Sequence, residues 1–298
     1  MQSSDHAARL RLARAVQQLL ATSYSRAKRE VEIGHVLVND RIVTDPGFFV
    51  TPDDKLSHRP ELRRLRRTDA APRVELVHLD ESVVVVNKPS GLLVHPGPEG
   101  EKDTLLWRVA TEIERRTGER HGVFVVHRLD RDTSGLLLFA RTHAAAERLV
   151  RMFRGHDVSR RYLALVRGDF EKATTVDRDI GRPRAGARRA VVRRHGKEAR
   201  TNLRPVERYG KATLVEATLY TGRTHQVRVH LSYLGHPVLG DTLYGDPRLD
   251  PVEVPRLALH AAHIGFAHPV SGTKLEFDAG LPEDLAAVVR RLRGRETR

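Results

Sequence analysis

Apolar residues recur along this chain in two different patterns. Leu12, Ala15, Val16, Leu19 and Leu20 fall at the three-to-four spacing of one helix face and predict a helix. Ser25 can cap a second helix running to about Glu32, which Gly34 stops. HVLVND and RIVTD then predict two short strands about an Asn39-Asp40 turn. Residues 9–55 therefore read as a small self-contained module. The stretch 56–72 has two prolines, a run of arginines and little apolar content, and predicts an exposed linker with a short helix at its centre.

From residue 73 the apolar positions fall instead in short unbroken or alternating runs. Runs at VELVHL, 83–86, 122–126, 135–140, 162–166 and 212–219 predict strands. Helical patterns intervene at 103–116 and 143–154, and DLAAVVRRLRGR ends the chain as an amphipathic helix. Strands outnumber helices too strongly for regular βαβ repeats. The expected fold class for 73–298 is thus mixed α/β (α+β), with a largely antiparallel mixed sheet, beside a small α/β module.

Composition narrows the functional classes. With 40% apolar and 30% charged residues among 298, the chain has the makings of packed cores. No apolar run is long enough for a membrane span, the opening residues lack a signal-peptide core, and a cytoplasmic protein is expected. The absence of cysteine excludes disulfides, a thiolate nucleophile and Cys-ligated zinc. The formal charge is +14, and residues 181–230 alone carry 13 Lys/Arg against 3 Asp/Glu. That clustering, with Arg188, Arg189, Arg193 and Arg194 in its first third, predicts contact with a polyanion. Arg26, Lys28 and Arg29 oppose the dipole of the second helix near its start, a local cost that a binding role would offset.

Reactive side chains concentrate in HRLDRDTSG, residues 127–135, a polar loop between two apolar runs. Asp130 lies between Arg128 and Arg131, a setting that favours a carboxylate suited to attack on, or stabilisation of, an electron-poor sugar carbon. Asp132 is the competing acid; it can instead bond the amides of Ser134 or Gly135, and turn chemistry leaves the choice open. NKPSGLLVHPG, around Lys88, Gly91 and His95, reads as a shaped backbone segment with a structural role. Tyr162 shares a strand face with Ala164 and Val166, ordinarily a core position unless that face opens on a pocket. In 221–241, Thr224 can cap a helix whose Val227, Leu231 and Leu234 form one stripe and which Gly235 ends. Its Arg223 and Arg228 can meet phosphates, or lend an arginine to a buried carboxylate. His225 and His230 are wrongly spaced for a shared metal, and no acid completes a set with His260 and His263, so no metal is expected. Dinucleotide-binding, Walker, zinc-protease and deaminase signatures are absent.

HRLDRDTSG resembles the catalytic signature of the RluA-type pseudouridine synthases, which modify ribosomal and transfer RNA. The likeness extends through NKPSGLLVHPG, RRYLALVRG, GKEART, TGRTHQVRVHLSYLGHPVLGDTLYG and LALHAAHIGFAHPVSG, while residues 9–55 resemble the S4 RNA-binding domain. The resemblance implies a catalytic aspartate at Asp130 rather than Asp132. It also implies an active-site tyrosine at Tyr162, an arginine paired with the carboxylate at Arg223, and Arg128 entering the RNA helix where the target nucleotide has left it. Arg26, Lys28, Arg29, Arg188, Arg189, Arg193, Arg194 and Arg228 are then the candidate RNA grips. The family implies no cofactor and no metal; structured RNA, ribosomal or transfer, is the expected partner, with no obligate protein partner. Two alternatives are a noncatalytic RNA-binding ribosome assembly factor and a glycosidase that releases uracil.

Overall fold

A computed structural model of the chain describes residues 10–32, 35–39, 41–43, 45–60, 73–97, 101–119, 122–181, 191–192 and 196–296. The chain divides into two compact units, Met1–Ala70 and Ala71–Arg298.

In the first unit the helices Leu12–Leu19 and Tyr24–Glu32 bury Leu12, Ala15, Val16, Ala27 and Val31 against Val36, Val38 and Val50. Leu19, expected on the buried stripe, is instead exposed at the helix end. The second helix starts one residue before Ser25, and Ser23 Oγ accepts the Arg26 N–H at 3.3 Å in the capping role expected of Ser25. Val36–Val38 is the middle strand of three, between Arg41–Ile42 and Leu56–His58. This unit therefore runs past residue 55. The start of the expected linker is a paired strand, because the middle strand needs a partner on its second edge and Leu56 packs on the core. The helix expected near the linker centre lies outside the described residues. Glu30 ties the helix to that sheet, accepting from His35 Nδ1 at 2.8 Å and His58 Nε2 at 2.9 Å.

The second unit is organised by a ten-stranded sheet. Its order is Thr174–Asp177, Arg200–Arg208, Ala212–Leu219, Ser159–Arg167, Leu259–Ala267, Ser134–Ala140, Val83–Lys88, Glu75–Leu79, with Lys274–Asp278 and Phe124–Val125 added off this path. All pairings are antiparallel except one. Ser134–Ala140 runs parallel to Leu259–Ala267, and only across two residue pairs, His260 with Ser134 and Ala261 with Gly135. Beyond that contact the two strands take other partners, His263–Ala267 with Lys274–Asp278 and Phe139–Ala140 with Phe124–Val125. The short parallel contact lies immediately after the HRLDRDT loop.

Continuous apolar runs form the central strands because both faces of this sheet are covered. Val84, Val86, Leu137 and Phe139 pack on Leu105, Val109 and Ile113 of the helix Leu105–Thr117. Val83, Val85, Leu136 and Leu138 face the opposite way, towards Ala145 and Leu149 of the helix His143–Gly155. The closing helix Glu283–Glu296 adds Leu285, Val288, Val289 and Leu292 to the larger core. The Arg-rich segment appears as the antiparallel pair Ile180–Gly181 and Val191–Val192; Arg188, Arg189, Arg193 and Arg194 lie outside the described residues. Among the described residues no helix is long and apolar enough to cross a membrane.

Candidate active site

The HRLDRDTSG loop is fixed at both ends and from below. At its start, His127 Nε2 accepts the Leu138 N–H at 3.0 Å while its ring stacks on Phe153 at 4.4 Å. Burial pushes the His127 pKa down to about 3, so the ring is a neutral acceptor. At its end, Gly135 has φ +114°, and a Cβ there would lie 2.3 Å from the Ala261 carbonyl oxygen. Only glycine lets the parallel strand approach this closely. From below, Lys88, 1% exposed, donates to the Pro89 and Arg131 carbonyls at 2.8 Å each. Ser90 Oγ donates to the Asp132 carbonyl at 2.7 Å and Arg131 Nε to the Gly91 carbonyl at 3.1 Å. The NKPSG segment, expected only to be a shaped structural stretch, is thus the cradle of the loop. Burial draws the Lys88 pKa down to about 7, against the opposing pull of Asp132 and Asp130.

Asp130 emerges from this loop into a cavity of about 470 Å³. Arg128, Tyr162, Arg223 and Arg228 line the same cavity, so the structure brings these sequence candidates together. Asp130 is the one acid among its lining residues; Asp132 is exposed and outside it.

The guanidinium that reaches Asp130 belongs to Arg228, not to Arg223 as expected. Arg228 Nη1 donates to Asp130 Oδ2 at 3.1 Å, while Arg223 Nε turns to the Glu198 carbonyl at 2.7 Å. Arg223 still lines the cavity but makes no ion pair with the carboxylate. The reason is the helix Gln226–Tyr233, whose residues from Gln226 to Leu231 are all buried. A helix buried all round must place its one arginine against buried acids. Arg228, 9% exposed, is consumed that way and is withdrawn from the RNA grips. Its Nε and Nη2 hold Asp241 at 2.7 and 2.9 Å, and its guanidinium lies 5.1 Å from the Tyr244 ring centroid. Asp241 also accepts the Leu243 and Tyr244 amides at 2.9 Å each. Burial works to raise the Asp241 pKa, but the bond and charge of Arg228 outweigh it and hold the group below the usual carboxylate range. Burial likewise opposes the charge on Arg228, yet its bond to Asp241 prevails and its pKa rises.

The residue at the N-terminal cap of this helix is His225 rather than Thr224. Its φ of +59° turns the chain sharply, and its ring bonds Tyr244 Oη at 2.9 Å with Nε2 3.7 Å from Asp130 Oδ1. No side chain caps this helix; Gln226 instead braces the turn before it, its Oε1 accepting the Arg223 N–H at 3.0 Å and the Thr221 hydroxyl at 2.8 Å. Burial lowers the His225 pKa although Asp130 pulls it up. Tyr162 also lines the cavity; burial pushes its pKa up to about 12, leaving a neutral phenol.

Sequence reasoning gave no role to Asp241, His225 or Arg160. Asp241 stands 13 residues from the arginine it holds, beyond any helical or strand period. Arg160 was the more legible, two residues before Tyr162 on the same strand face.

Among the described residues one cluster, Glu30, His35 and His58, brings its donor atoms within 4.8 Å as a metal site would. Its 2.8 and 2.9 Å contacts are hydrogen-bond lengths, and it belongs to the first unit. The arrangement in the second unit is otherwise a carboxylate, held by a buried arginine, in a polar cavity walled by a neutral phenol.

Residues 82–233 match the protein family described as RNA pseudouridylate synthase, and residues 10–56 match the S4 domain. A Ribosomal large subunit pseudouridine synthase D of Vibrio parahaemolyticus is 36% identical, over 95% of this chain and 91% of its own length. A protein of the same name from Nitrosomonas europaea is 38% identical, over 97% of this chain and 86% of its own. Among solved structures, Human RNA Pseudouridylate Synthase Domain Containing 4 superposes with a TM-score of 0.62 at 26% identity, covering 74% of this chain and 93% of that one. Human RNA Pseudouridylate Synthase Domain Containing 1 does so with 0.57 at 29% identity, covering 74% and 95%. A carboxylate-bearing HRLD loop on a mixed, largely antiparallel sheet, preceded by an S4 domain, places this chain in the RNA pseudouridine synthase family of RluA type, a family of isomerases.

Proposed function

We propose that this protein isomerises specific uridines of structured RNA, ribosomal RNA first, to pseudouridine, with Asp130 engaging the ribose of the flipped-out nucleotide. Transfer RNA is the second substrate class. The observation that carries the site assignment is that the one acid lining the cavity, Asp130, receives the Arg228 guanidinium at 3.1 Å. The choice of ribosomal RNA is supported by the names of the relatives that align along almost the whole chain.

Asp130 either bonds to C1′ or removes the C2′ proton. Along both routes the N1–C1′ bond breaks and its electron pair goes to the uracil ring. The ring turns, C5 bonds to C1′, the C5 proton is lost and N1 gains one, so the product is an isomer. Along the first route C1′ releases the carboxylate; along the second the proton returns to C2′. Arg228 holds the carboxylate for this step, and Asp241 holds Arg228. Tyr162 packs on the uracil as a neutral phenol. Extruding the nucleotide costs about a few kcal/mol, offset by these contacts. Arg128, exposed at the cavity, fills the vacancy in the helix. Arg26, Lys28 and Arg29, exposed on the Tyr24–Glu32 helix, grip phosphates, as do the arginines of 182–195.

The test is tritium release from [5-³H]uridine-labelled large-subunit ribosomal RNA, followed by mapping of the modified position. Wild type should release tritium and leave pseudouridine at mapped positions, and Asp130→Asn should do neither. Equal release by the variant sinks the assignment, and release from transfer RNA alone changes the substrate.

A further inference from the structure

We infer that Arg160 receives the negative charge that moves onto the uracil ring when its bond to the ribose breaks. The inference rests on the assignment of Asp130 as the group that engages the ribose.

Arg160 is 7% exposed, lines the same cavity as Asp130 and Tyr162, and its buried Nε has no hydrogen-bond partner. Among the described residues no carboxylate forms an ion pair with it. A buried guanidinium without an anion is costly, and burial indeed draws its pKa down. Its surroundings are nonetheless closely packed. Its guanidinium lies 5.5 Å from the centroid of Phe153, whose other partner is the His127 ring, and Nη1 would lie 2.7 Å from a Cβ at Gly222. A buried cation packed beside an aromatic ring and left without an anion in a substrate cavity is placed for an anion that arrives from outside.

Which anion follows from charge and place. In the resting site Arg228 is shared between Asp241 and Asp130, so this trio carries one net negative charge, on the side facing the cavity. When Asp130 bonds to C1′, or takes the C2′ proton, that carboxylate becomes neutral and the uracil ring becomes the anion. The negative charge has therefore crossed from Asp130 to the ring, along either route. Arg160 precedes Tyr162 by two positions on one strand face, which puts it beside the residue that packs on the base. It is deep, whereas Arg128 is exposed, and the RNA backbone stays with the exposed cations when only the base enters.

Ground-state and transition-state contacts separate in the kinetics. Single-turnover tritium release at saturating [5-³H]uridine-labelled large-subunit ribosomal RNA is measured for the full-length protein and for Arg160→Met and Arg160→Lys. Dissociation constants are taken in the Asp130→Asn background, with and without each change. The expected result for Arg160→Met is a rate at least ~100-fold lower, a dissociation constant altered less than about threefold, and a Tm unchanged or raised, because an unpaired buried charge has gone. Arg160→Lys should recover part of the rate. A weaker dissociation constant with an unchanged rate makes Arg160 a phosphate grip and overturns the inference. An unchanged rate overturns it too, as does a lower Tm or failure of Arg160→Met to fold, with Arg160→Lys as slow as any neutral variant. Full activity of Asp130→Asn alone would instead remove the reading on which the inference rests.

Discussion

Asp241 grips the guanidinium of Arg228 through two bonds, at 2.7 and 2.9 Å, so that the arginine's remaining nitrogen meets Asp130 at 3.1 Å. The position of the catalytic candidate thus depends on an acid that does not line the cavity. Asp241→Asn should lower single-turnover tritium release by about 100-fold with little change in RNA affinity. It should also cost roughly 3–5 kcal/mol of stability, since it leaves Arg228 partly unpaired. Because the two residues act as one unit, Arg228→Gln combined with Asp241→Asn should lose far less than the sum, and a double-mutant cycle in urea measures it.

Arg223 and Arg228 give opposite expectations. Arg228→Ala should abolish measurable turnover, since it strips Asp130 of its hydrogen-bond donor. Arg223 donates to a backbone carbonyl, and Arg223→Ala should keep the rate within about tenfold of wild type. Side-by-side single-turnover assays decide it; a dead Arg223→Ala beside an active Arg228→Ala would restore the pairing expected from sequence.

Gly135→Ala should destabilise the second unit by about 3 kcal/mol or more, because its new methyl meets the Ala261 carbonyl at a backbone angle that L-residues rarely adopt. Guanidinium unfolding followed by circular dichroism reads the loss, and activity should fall with it as the loop shifts.

Stability should fall with acid partly through His127. Its folded pKa lies near 3 against an ordinary 6.5, so the neutral ring contributes stability above pH 6.5 that is lost as pH falls from there towards 3. Between pH 7 and 4.5 this amounts to roughly 2 kcal/mol. His127→Gln, which keeps an acceptor for the Leu138 N–H, should show a correspondingly smaller loss in urea titrations at the two pH values.

Replacing Arg26, Lys28 and Arg29 together by glutamine should weaken RNA binding and flatten its salt dependence, lowering the log–log slope by about 2 if all three meet phosphates. Binding measured from low to moderate salt checks this, and an unchanged slope would remove the first unit's basic face from the RNA contacts.

The sequence by itself determined the local elements, the family and the loop that carries Asp130. Unbroken apolar runs such as 83–86 and 135–140 became central strands because both sheet faces are covered, and the pattern states burial directly. HRLDRDTSG was legible because its residues are contiguous; NKPSG was legible only as a shaped segment, and its hold on that loop is made by contacts between residues some forty positions apart. Strands with weaker alternation, such as Thr174–Asp177 and Arg200–Arg208, were not legible, because hydrogen bonds to Ala212–Leu219 and to each other define them rather than hydropathy. Tertiary structure alone decided which arginine meets the carboxylate. Arg223 and Arg228 are five residues apart on one motif, and only the burial of the Gln226–Tyr233 helix, with Asp241 brought beside it from across a turn, directs Arg228 inward. It alone also left Arg160 without an anion, for a missing partner is a property of packing that no residue pattern encodes.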